Sequence, residues 1–426
     1  MEPRAGFLGA LSRFGADQTG SLAVLLGLAF IPIMIAAGAA VDYSYAGMVK
    51  SKLDAAADAA VLAAVDYPTI AGGASGQQAA QKTFAAQSAG INRVTVGTVD
   101  ITITNDSIAG RTAVLNYSAT MPTAIMSLIG MSSMTIKGTA TANSATPIYM
   151  DFYLLLDNTP SMGVGATPND VALMVNNTPD KCAFACRDQS NSNNYYNLAK
   201  TLGVTMRIDV LRTATQQLMD TAEATEVVPN QFRMGIYTFG TSAQNPGFTT
   251  VAPLAADLKQ QKTLAAAIDL MQVPYQNYNN DMDTDYDGVL SALNAEIKKV
   301  GNGSSVSSAQ PVVFFVSDGV ADENNPSSCS QPLASGGRCQ EPINLSLCAT
   351  MKDRGIKVAV LYTTYLPLPT NTWYNTWVAP FVSNIGTKMQ SCASPGLYFE
   401  VSPTQGISEA MTALFKKAVG QARLTR

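Results

Sequence analysis

Oxygen-bearing side chains follow two short apolar runs of the chain, each at the point where the run ends. Asp157, Thr159 and Ser161 follow the run FYLLL, and Asp318 follows the run VVFFV. In a doubly wound sheet, ligands bind at the carboxyl ends of the strands, so we expect these side chains to lie at one edge. Carboxylates and hydroxyls without nitrogen or sulfur suit Mg²⁺ first, with Ca²⁺ or Mn²⁺ as alternatives to it. The sequence therefore predicts a divalent-cation site.

The composition excludes several classes of function. The 426 residues include no histidine, which removes Ser-His-Asp and Cys-His machinery and every zinc site with a histidine ligand. The net charge is −4, from 27 basic and 31 acidic residues, so no basic field is available to hold nucleic acid. We expect a protein that is not an enzyme. A metal-dependent hydrolase using Asp157 and Asp318 is the enzymatic alternative.

The elements that must position the site begin near residue 150. From there, short apolar runs alternate with amphipathic helical patterns, which predicts an α/β domain with a doubly wound, mostly parallel sheet. The predicted strands are 152–156, 234–239, 312–316 and 357–363, and the predicted helices are 208–222, 254–270, 289–300, 343–351 and 406–419.

A long apolar helix is predicted near the N-terminus. Residues 18–41 carry no charge, and 21–40 are long enough to cross a hydrocarbon core of about 30 Å. Because the helical pattern continues to residue 65, we expect one long helix, half in the membrane and half outside it. The alternatives are a cleavable signal peptide, with small residues at 37–39, and a separate amphipathic helix over 46–65.

A small β-rich module is predicted after this helix. A Gly-rich break at 71–76 and a short helix at 77–88 precede three stretches with a period of two. These predicted strands are 94–103, 111–121 and 134–142. The expected organisation is a cytoplasmic N-terminus (1–18), the helix (19–66), the β-rich module (67–147) and an α/β domain (148–426) with an insertion at about 163–207.

All six cysteines lie after the apolar run, and an even number suits disulfides in an oxidising compartment. We therefore place residues 1–18 in the cytoplasm and the remainder outside it. Six cysteines allow 15 pairings, and the sequence does not choose among them. Proximity favours the pairs Cys182–Cys186, Cys329–Cys339 and Cys348–Cys392, and buried free thiols are the alternative.

With Thr284, the oxygen-bearing residues resemble the metal-ion-dependent adhesion site of von Willebrand factor A domains, whose pattern is DxSxS, then Thr, then (T/S)DG. The resemblance implies that Asp157, Thr159 and Ser161 are first-loop ligands, Thr284 the second-loop ligand and Asp318 the third-loop carboxylate. Thr159 replaces a serine of the pattern and keeps the hydroxyl. In that family an acidic group of a partner completes the coordination of the metal, so the resemblance implies binding and not catalysis.

The acidic stretch around Thr284 has a second interpretation. Asp283, Asp285 and Asp287 match the start of an EF-hand-type calcium loop, although its twelfth position is Asn294 instead of Glu. An additional cation site and a solvated acidic start of a helix are the two alternatives.

The order of the segments resembles that of TadG-like proteins of the Tad (Flp) type IV pilus system. The stretches that carry this resemblance are AVDYSYAGMVKSKLDAAADAAVLAA after the apolar run, CAFAC at 182–186 and YNLAKTLGVTMRIDVLR at 196–212. Two positions depart from the usual pattern: Arg187 stands where members often have histidine, and Leu25 stands where a prepilin cleavage motif has glutamate. We therefore expect no cleavage by a prepilin peptidase.

The resemblance implies a minor pilin, a tip adhesin or a pilus-assembly protein. It also implies that the helix at 19–66 is pilin-like and that the α/β domain at 148–426 has a doubly wound, mostly parallel sheet of the von Willebrand A type. The implied partners are other Tad components, such as pilin or TadE/TadF-like minor pilins, and a surface or host ligand with an acidic group. The implied location is the inner membrane, with a single pass and a periplasmic C-terminal region, or the pilus tip. The alternative is a structural envelope protein whose A-type domain does not use the metal.

Overall fold

The computed structural model describes residues 19–66, 75–106, 110–145, 147–191, 194–275, 278, 284–324, 326, 328–365, 367–369, 371–402 and 406–424. The chain forms two compact units, residues 1–145 and 146–426. The domain boundaries expected from the sequence stay predictions.

The first unit is built on one long helix, α1 (Thr19–Val65), which contains Pro32. The large apolar side chains of its first half are exposed, as Leu25 and Phe30 illustrate, whereas Val49 and Leu53 in its second half are completely buried. The segment 24–65 is long and apolar enough to cross a membrane. The helix is continuous, as predicted. Apolar side chains of its first half are exposed, whereas its second half packs against the remainder of the unit.

A short helix and a three-stranded antiparallel sheet complete the first unit. Helix α2 (Gly76–Ser88) begins at a capping box made by Ser75 and Gln78. Strands β1 (Thr95–Asp106), β2 (Gly110–Pro122) and β3 (Ser133–Ser144) pair in the order β1-β2-β3. Alternate residues of β2 face the second half of α1, and Leu115 and Tyr117 lie in this core. The predicted period of two is confirmed.

The second unit contains a larger sheet with helices on both faces. The strands are β4 (Met150–Leu156), β5 (Arg187–Asp188), β6 (Phe232–Ser242), β7 (Asn245–Ala255), β8 (Gln272–Val273), β9 (Gln310–Ser317), β10 (Val320–Asn324), β11 (Arg338–Pro342), β12 (Lys357–Thr363) and β13 (Tyr398–Val401). The strands in the order β13-β12-β9-β4-β6-β8-β5 are hydrogen-bonded neighbours, and β7 pairs with β6. The neighbours in this sheet are parallel except β6 with β7, and β10 and β11 form a separate antiparallel pair.

The two faces of this sheet carry separate hydrophobic cores. In β4, Phe152 and Leu154 belong to one core, whereas Tyr153 and Leu155 belong to the other, so the strand is buried on both faces. The helices are α3 (Pro168–Asn177), α4 (Tyr195–Thr201), α5 (Arg207–Thr225), α6 (Leu258–Leu264), α7 (Tyr286–Glu296), α8 (Ser346–Asp353), α9 (Val382–Cys392) and α10 (Ile407–Leu424). Helices α5 and α10 cover the first face, and α7, α8 and α9 cover the second.

One predicted helix is wrong in its first part. The helical spacing at 254–270 begins inside β7, and the helix α6 starts only at Leu258. Thr249, Thr250 and Val251 are β-branched and extend the edge strand beside β6, and Asp257 then caps α6 by accepting a hydrogen bond from the Gln260 N–H. Strand β7 was not predicted, because its exposed edge lacks a strong apolar run.

The structure contains the disulfides Cys329–Cys339 and Cys348–Cys392, which confirms two of the predicted pairs. The pairing of Cys182 with Cys186 stays a prediction. The predicted insertion contributes α3, α4 and the edge strand β5, which pairs with β8.

Candidate metal centre

The candidate site lies where the direction of the sheet's winding reverses. Strands β4 and β9 are parallel neighbours with Leu156 opposite Val316, and the chain proceeds from them to opposite sides of the sheet. The loops that leave these two strands therefore diverge and leave a crevice, which is where doubly wound sheets bind ligands. Asp157 and Asp318 are the residues that enter this crevice.

The first loop is organised around the carboxylate of Asp157, which is completely buried. The backbone N–H and the hydroxyl of Thr159 donate to Asp157 Oδ1 at 3.0 and 2.7 Å. The Ser317 hydroxyl donates to Asp157 Oδ2 at 2.5 Å. The hydroxyl oxygens of Thr159 and Ser161 lie 3.2 Å apart. This loop thus presents one carboxylate and two hydroxyls as a group.

The third loop supplies Asp318, which is also completely buried. Its Oδ1 accepts a hydrogen bond from the Val320 N–H at 3.4 Å, while its Oδ2 accepts none from the part of the chain that the structure describes. Gly319 turns the backbone away with a φ of 79°, and a Cβ there would lie 2.4 Å from Ile385 Cγ2, so only glycine fits. Asp318 Oδ2, which faces the Arg207 guanidinium without a hydrogen bond, is available to a ligand.

Burial and mutual repulsion set the protonation of the two carboxyl groups. Burial raises the pKa of Asp157, although hydrogen bonds from Ser317 and Thr159 oppose this. Burial and the charge of Asp157 raise the pKa of Asp318 to about 7, and the charge of Arg207 opposes the rise. Two anionic groups that lie close together in a buried site attract a cation strongly.

Arg207 is a buried cation beside this pair. Its Nη1 lies 3.6 Å from Asp318 Oδ2, and its side chain is 1% exposed. Among the described residues, none accepts a hydrogen bond from its Nε, Nη1 or Nη2. The guanidinium carbon lies 5.3 Å from the centre of the Tyr365 ring. Arg207 begins α5, and its backbone N–H donates to the Val164 carbonyl at 3.0 Å, which holds the start of the helix against the first loop.

The second loop reaches the site through a short backbone pairing. Thr284 and Asp322 exchange hydrogen bonds between N–H and carbonyl groups, each at 3.1 Å. Thr284 is buried and lines the same cleft as Ser161. The Tyr286 hydroxyl lies 2.6 Å from the Ser317 hydroxyl, which in turn bonds to Asp157. The structure therefore brings all three predicted loops to one cleft.

The acidic residues around Thr284 have partners of their own where the structure describes them. The Asp285 carboxylate caps α7 by accepting from the Gly288 N–H at 2.7 Å. Asp287 accepts from the Asn344 side chain at 3.0 Å. Asp283 lies outside the described residues. The additional cation site of the EF-hand type stays a prediction.

The cleft beside the candidate ligands has a volume of about 270 Å³. Its walls include Ser161, Thr284 and several aromatic side chains; these are Phe184, Tyr278, Tyr365, Trp373 and Tyr374. A buried ion pair between Arg338 and Asp322 forms part of the wall, and the Arg338 guanidinium lies 4.8 Å from the Trp373 ring centre. Such a cleft suits an amphipathic group next to an anion.

The side chains around the crevice fit a divalent cation of the hard type. They provide two carboxylates and the hydroxyls of Thr159, Ser161 and Thr284, and the free oxygen of Asp318 lacks a donor among the described residues. A cluster of Cys329, Cys339 and Glu341 has the composition of a metal site, but its two sulfur atoms form a disulfide and are not thiolates.

The comparisons with known proteins agree with the N-terminal resemblance. Residues 20–82 match the family described as "Tad: Putative Flp pilus-assembly TadE/G-like". The predicted resemblance to the TadG-like group is confirmed for this segment. The long apolar helix followed by an α/β unit with a parallel sheet is the arrangement expected for such a protein with a von Willebrand A-type fold. The sequence has no significant match among curated proteins.

Several solved structures resemble the chain at low identity. The von Willebrand factor domain of the type V pili tip protein Mfa5 from Porphyromonas gingivalis is 8% identical over 65% of this chain and 97% of that chain, with a TM-score of 0.38. Three N-terminal domains of the same protein are 9% identical over 74% and 55%, with a TM-score of 0.34. Proximal thread matrix protein 1 of the mussel byssus, with a zinc-occupied MIDAS motif, is 12% identical over 66% and 49%, with a TM-score of 0.32.

Sequence reasoning missed the contacts of three residues near the centre. Ser317 stands inside the recognised Ser-Asp-Gly motif, so its role as a donor to Asp157 could have been inferred. Tyr286 follows Thr284 closely, but its contact with Ser317 crosses between loops. Arg207 belongs to the stretch at 196–212 that resembles the TadG-like group, and nothing in its local pattern indicates that it is buried.

Proposed function

We propose that this chain is a non-enzymatic component of the Tad (Flp) pilus system that binds a partner through a divalent cation, Mg²⁺ in the first place. The observation that carries the proposal is the cluster of Asp157, Thr159, Ser161 and Asp318 at the divergence of β4 and β9. One oxygen of Asp318 accepts no hydrogen bond from the described residues. Thr284 lines the adjoining cleft and is the proposed second-loop ligand.

The charges of the site favour an acidic partner. A divalent cation balances the two carboxylates, and the buried guanidinium of Arg207 then leaves the loaded site with one excess positive charge. A carboxylate from a partner would complete both the coordination shell and the charge balance. We propose an Asp or Glu side chain of another pilus subunit, or an acidic group on a surface or host, as this ligand.

The cleft gives the partner a second contact. Because Ser161 and Thr284 line this cleft, a residue next to the bound carboxylate would enter a space that is also lined by Trp373, Tyr374 and Phe184. Aromatic walls supply large contact areas at interfaces. Specificity would then come from this cleft, whereas the cation supplies a contact that any acidic group can use.

The proposed location rests on α1. Its apolar first half is exposed and suits either a bilayer or the packed helices of a pilus. We propose a chain held in the inner membrane with its second unit in the periplasm, or incorporated at the pilus tip. Immunolabelling of sheared pili distinguishes these two, because only a tip component stays with the sheared filament.

The test is metal binding by the full chain in detergent, measured by calorimetry with MnCl₂. We expect one Mn²⁺ to bind to the unsubstituted chain and none to Asp157→Ala or Asp318→Ala. Asp220→Ala is the control, since Asp220 is exposed and pairs with Lys262. A pull-down of pilin and minor pilins should succeed with the metal and fail with EDTA. Equal Mn²⁺ binding by all four proteins would contradict the proposal.

A second candidate function is that of a structural envelope protein that does not use a metal. The observation in its favour is Arg207, whose charge already offsets part of the repulsion between the carboxylates. Thermal melts with and without EDTA separate the two candidates. A metal that binds only the folded state at 100 times its Kd adds about 2.7 kcal/mol to stability, whereas a structural protein would melt identically in both conditions.

A further inference from the structure

The connection between β2 and β3, residues 123–132, exposes large apolar side chains. Leu128 is 83% exposed, Ile129 48% and Met131 49%. The sequence carries no charged residue between Arg111 and Lys137. An exposed apolar group on a segment that carries no charged side chain of its own costs solubility and is typical of a surface that meets another apolar phase.

This β2–β3 connection is an ordered structure. Residues Met126–Ile129 form a turn of 3-10 helix, and the Thr123 N–H donates to the Ser132 carbonyl at 3.1 Å. The Met131 N–H donates to the Met126 carbonyl at 3.1 Å, and Gly130 adopts a left-handed φ of 92°. The backbone therefore holds the apolar side chains outward, so their exposure does not come from a loose loop.

The connection is fixed to α1 at the end of the apolar run. The Asp42 carboxylate accepts hydrogen bonds from the backbone N–H groups of Ala124, Ile125 and Met126, each at 2.9 Å. One turn earlier on the helix, the Ile125 side chain packs on Gly38, where a Cβ would lie 2.1 Å from Ile125 Cγ2. Both contacts set the connection at the depth of residues 38–42, where the uncharged stretch of α1 ends.

We propose that the β2–β3 connection inserts Leu128, Ile129 and Met131 into the outer boundary of the bilayer that α1 spans. The argument for lipid is continuity: the exposed apolar surface of α1 extends to Val41, and the connection joins it at that level. Short apolar segments held at the headgroup region anchor proteins in this way. The inference rests on the membrane location proposed for α1, and it assigns to the first unit a second contact with lipid.

The consequence is a fixed orientation of the first unit. A single helix is free to tilt and rotate about its axis, whereas a helix with a second lipid contact at one side is not. The three-stranded sheet, which carries the connection at one end of β2, would then stand at a defined angle to the membrane.

The test uses tryptophan fluorescence of the full chain reconstituted in vesicles of phosphatidylcholine and phosphatidylglycerol. Leu128→Trp places the probe in the connection, and Thr104→Trp is the control on the same sheet. Thr104 pairs with Thr112 at the opposite end of β2, roughly 30 Å from the connection at about 3.3 Å per residue. Both variants keep the native Trp373 and Trp377, and the substituted positions are exposed, so we expect both to fold.

Lipids brominated near the headgroup should quench the emission of Leu128→Trp at least twice as strongly as that of Thr104→Trp. Equal quenching in chains that float with the vesicles would overturn the inference and leave the membrane anchor intact. A chain that does not float with the vesicles would contradict the membrane location itself, and with it this inference.

Discussion

Replacing Arg207 with methionine should destabilise the metal-free chain and strengthen metal binding at the same time. The guanidinium lies 3.6 Å from Asp318 Oδ2, and both side chains are at most 1% exposed. Removing one partner of a buried ion pair costs about 3–5 kcal/mol, because the remaining charge loses its compensation. With roughly 2–4 °C per kcal/mol for a unit of this size, we expect the melting temperature in EDTA to fall by roughly 10 °C.

The metal affinity should change in the opposite direction. Two unit charges about 4 Å apart interact by about 4 kcal/mol at an effective dielectric constant near 20, so a neighbouring guanidinium opposes a divalent cation. Its loss should tighten the Kd for Mn²⁺ at least tenfold. Saturating Mn²⁺ should then restore most of the melting temperature that Arg207→Met loses in EDTA.

The assay combines calorimetric titration with MnCl₂ and thermal melts of the full chain in detergent at pH 8, which is above the pKa of about 7 of Asp318. Arg207→Lys retains the charge and should stay within about threefold of the original Kd. Lys259→Met removes an exposed charge, 81% accessible, and should change neither quantity. An Arg207→Met variant with unchanged stability in EDTA and unchanged Mn²⁺ affinity would refute the assigned charge balance.

Three further predictions concern pH, covalent links and packing. The pKa of Asp318 is raised to about 7, so the folded chain binds more protons than the unfolded chain between about pH 4 and 7. The stability of the metal-free chain should therefore fall as the pH rises through this window. In melts with EDTA, Asp318→Asn should remove that part of the pH dependence. Mn²⁺ affinity should rise over the same window, because the cation displaces the proton, and a pH-independent Kd would contradict this. The disulfide between Cys348 and Cys392 closes a separation of 44 residues and should contribute about 4 kcal/mol, measured by denaturant unfolding of the double serine variant. Leu53→Ala in α1 should cost about 2–5 kcal/mol because Leu53 is completely buried, whereas Leu62→Ala, at a position 62% exposed, should cost less than about 1 kcal/mol; equal losses would show that the burial of α1 is wrong.

The candidate ligands were predictable because short runs and their ends are local properties of a sequence. Apolar runs buried on both faces indicate parallel strands, and the residues after such strands enter the ligand-binding edge. Asp157 and Asp318 therefore followed from the chain itself. The start of β7 did not follow from the sequence, because the helical spacing around Leu254 predicts a helix there. The antiparallel pairing that makes this segment a strand depends on the neighbouring strand β6.

The burial of the cation Arg207, in contrast, was not predictable from the sequence. Arg207 stands at the first residue of α5, where an arginine is ordinarily solvated, and the insertion after the first loop separates it from Asp157 in sequence. The guanidinium lies beside Asp318 and Tyr365, which are both far from Arg207 in the sequence, and no local pattern encodes this proximity. The same holds for Asp42, whose contacts with the β2–β3 connection join residues more than 80 positions apart.

The sequence by itself determined an uncharged helix long enough for a membrane, an alternating α/β region and a set of oxygen ligands without histidine. Periodicity and residue chemistry are sufficient for these, since each depends on neighbours along the chain. Only the tertiary structure decided that Arg207 shares the crevice with Asp318 and that the apolar β2–β3 connection lies at the end of the membrane segment. Charge balance and depth in a bilayer depend on distances between remote residues, and those distances exist only after the chain has folded.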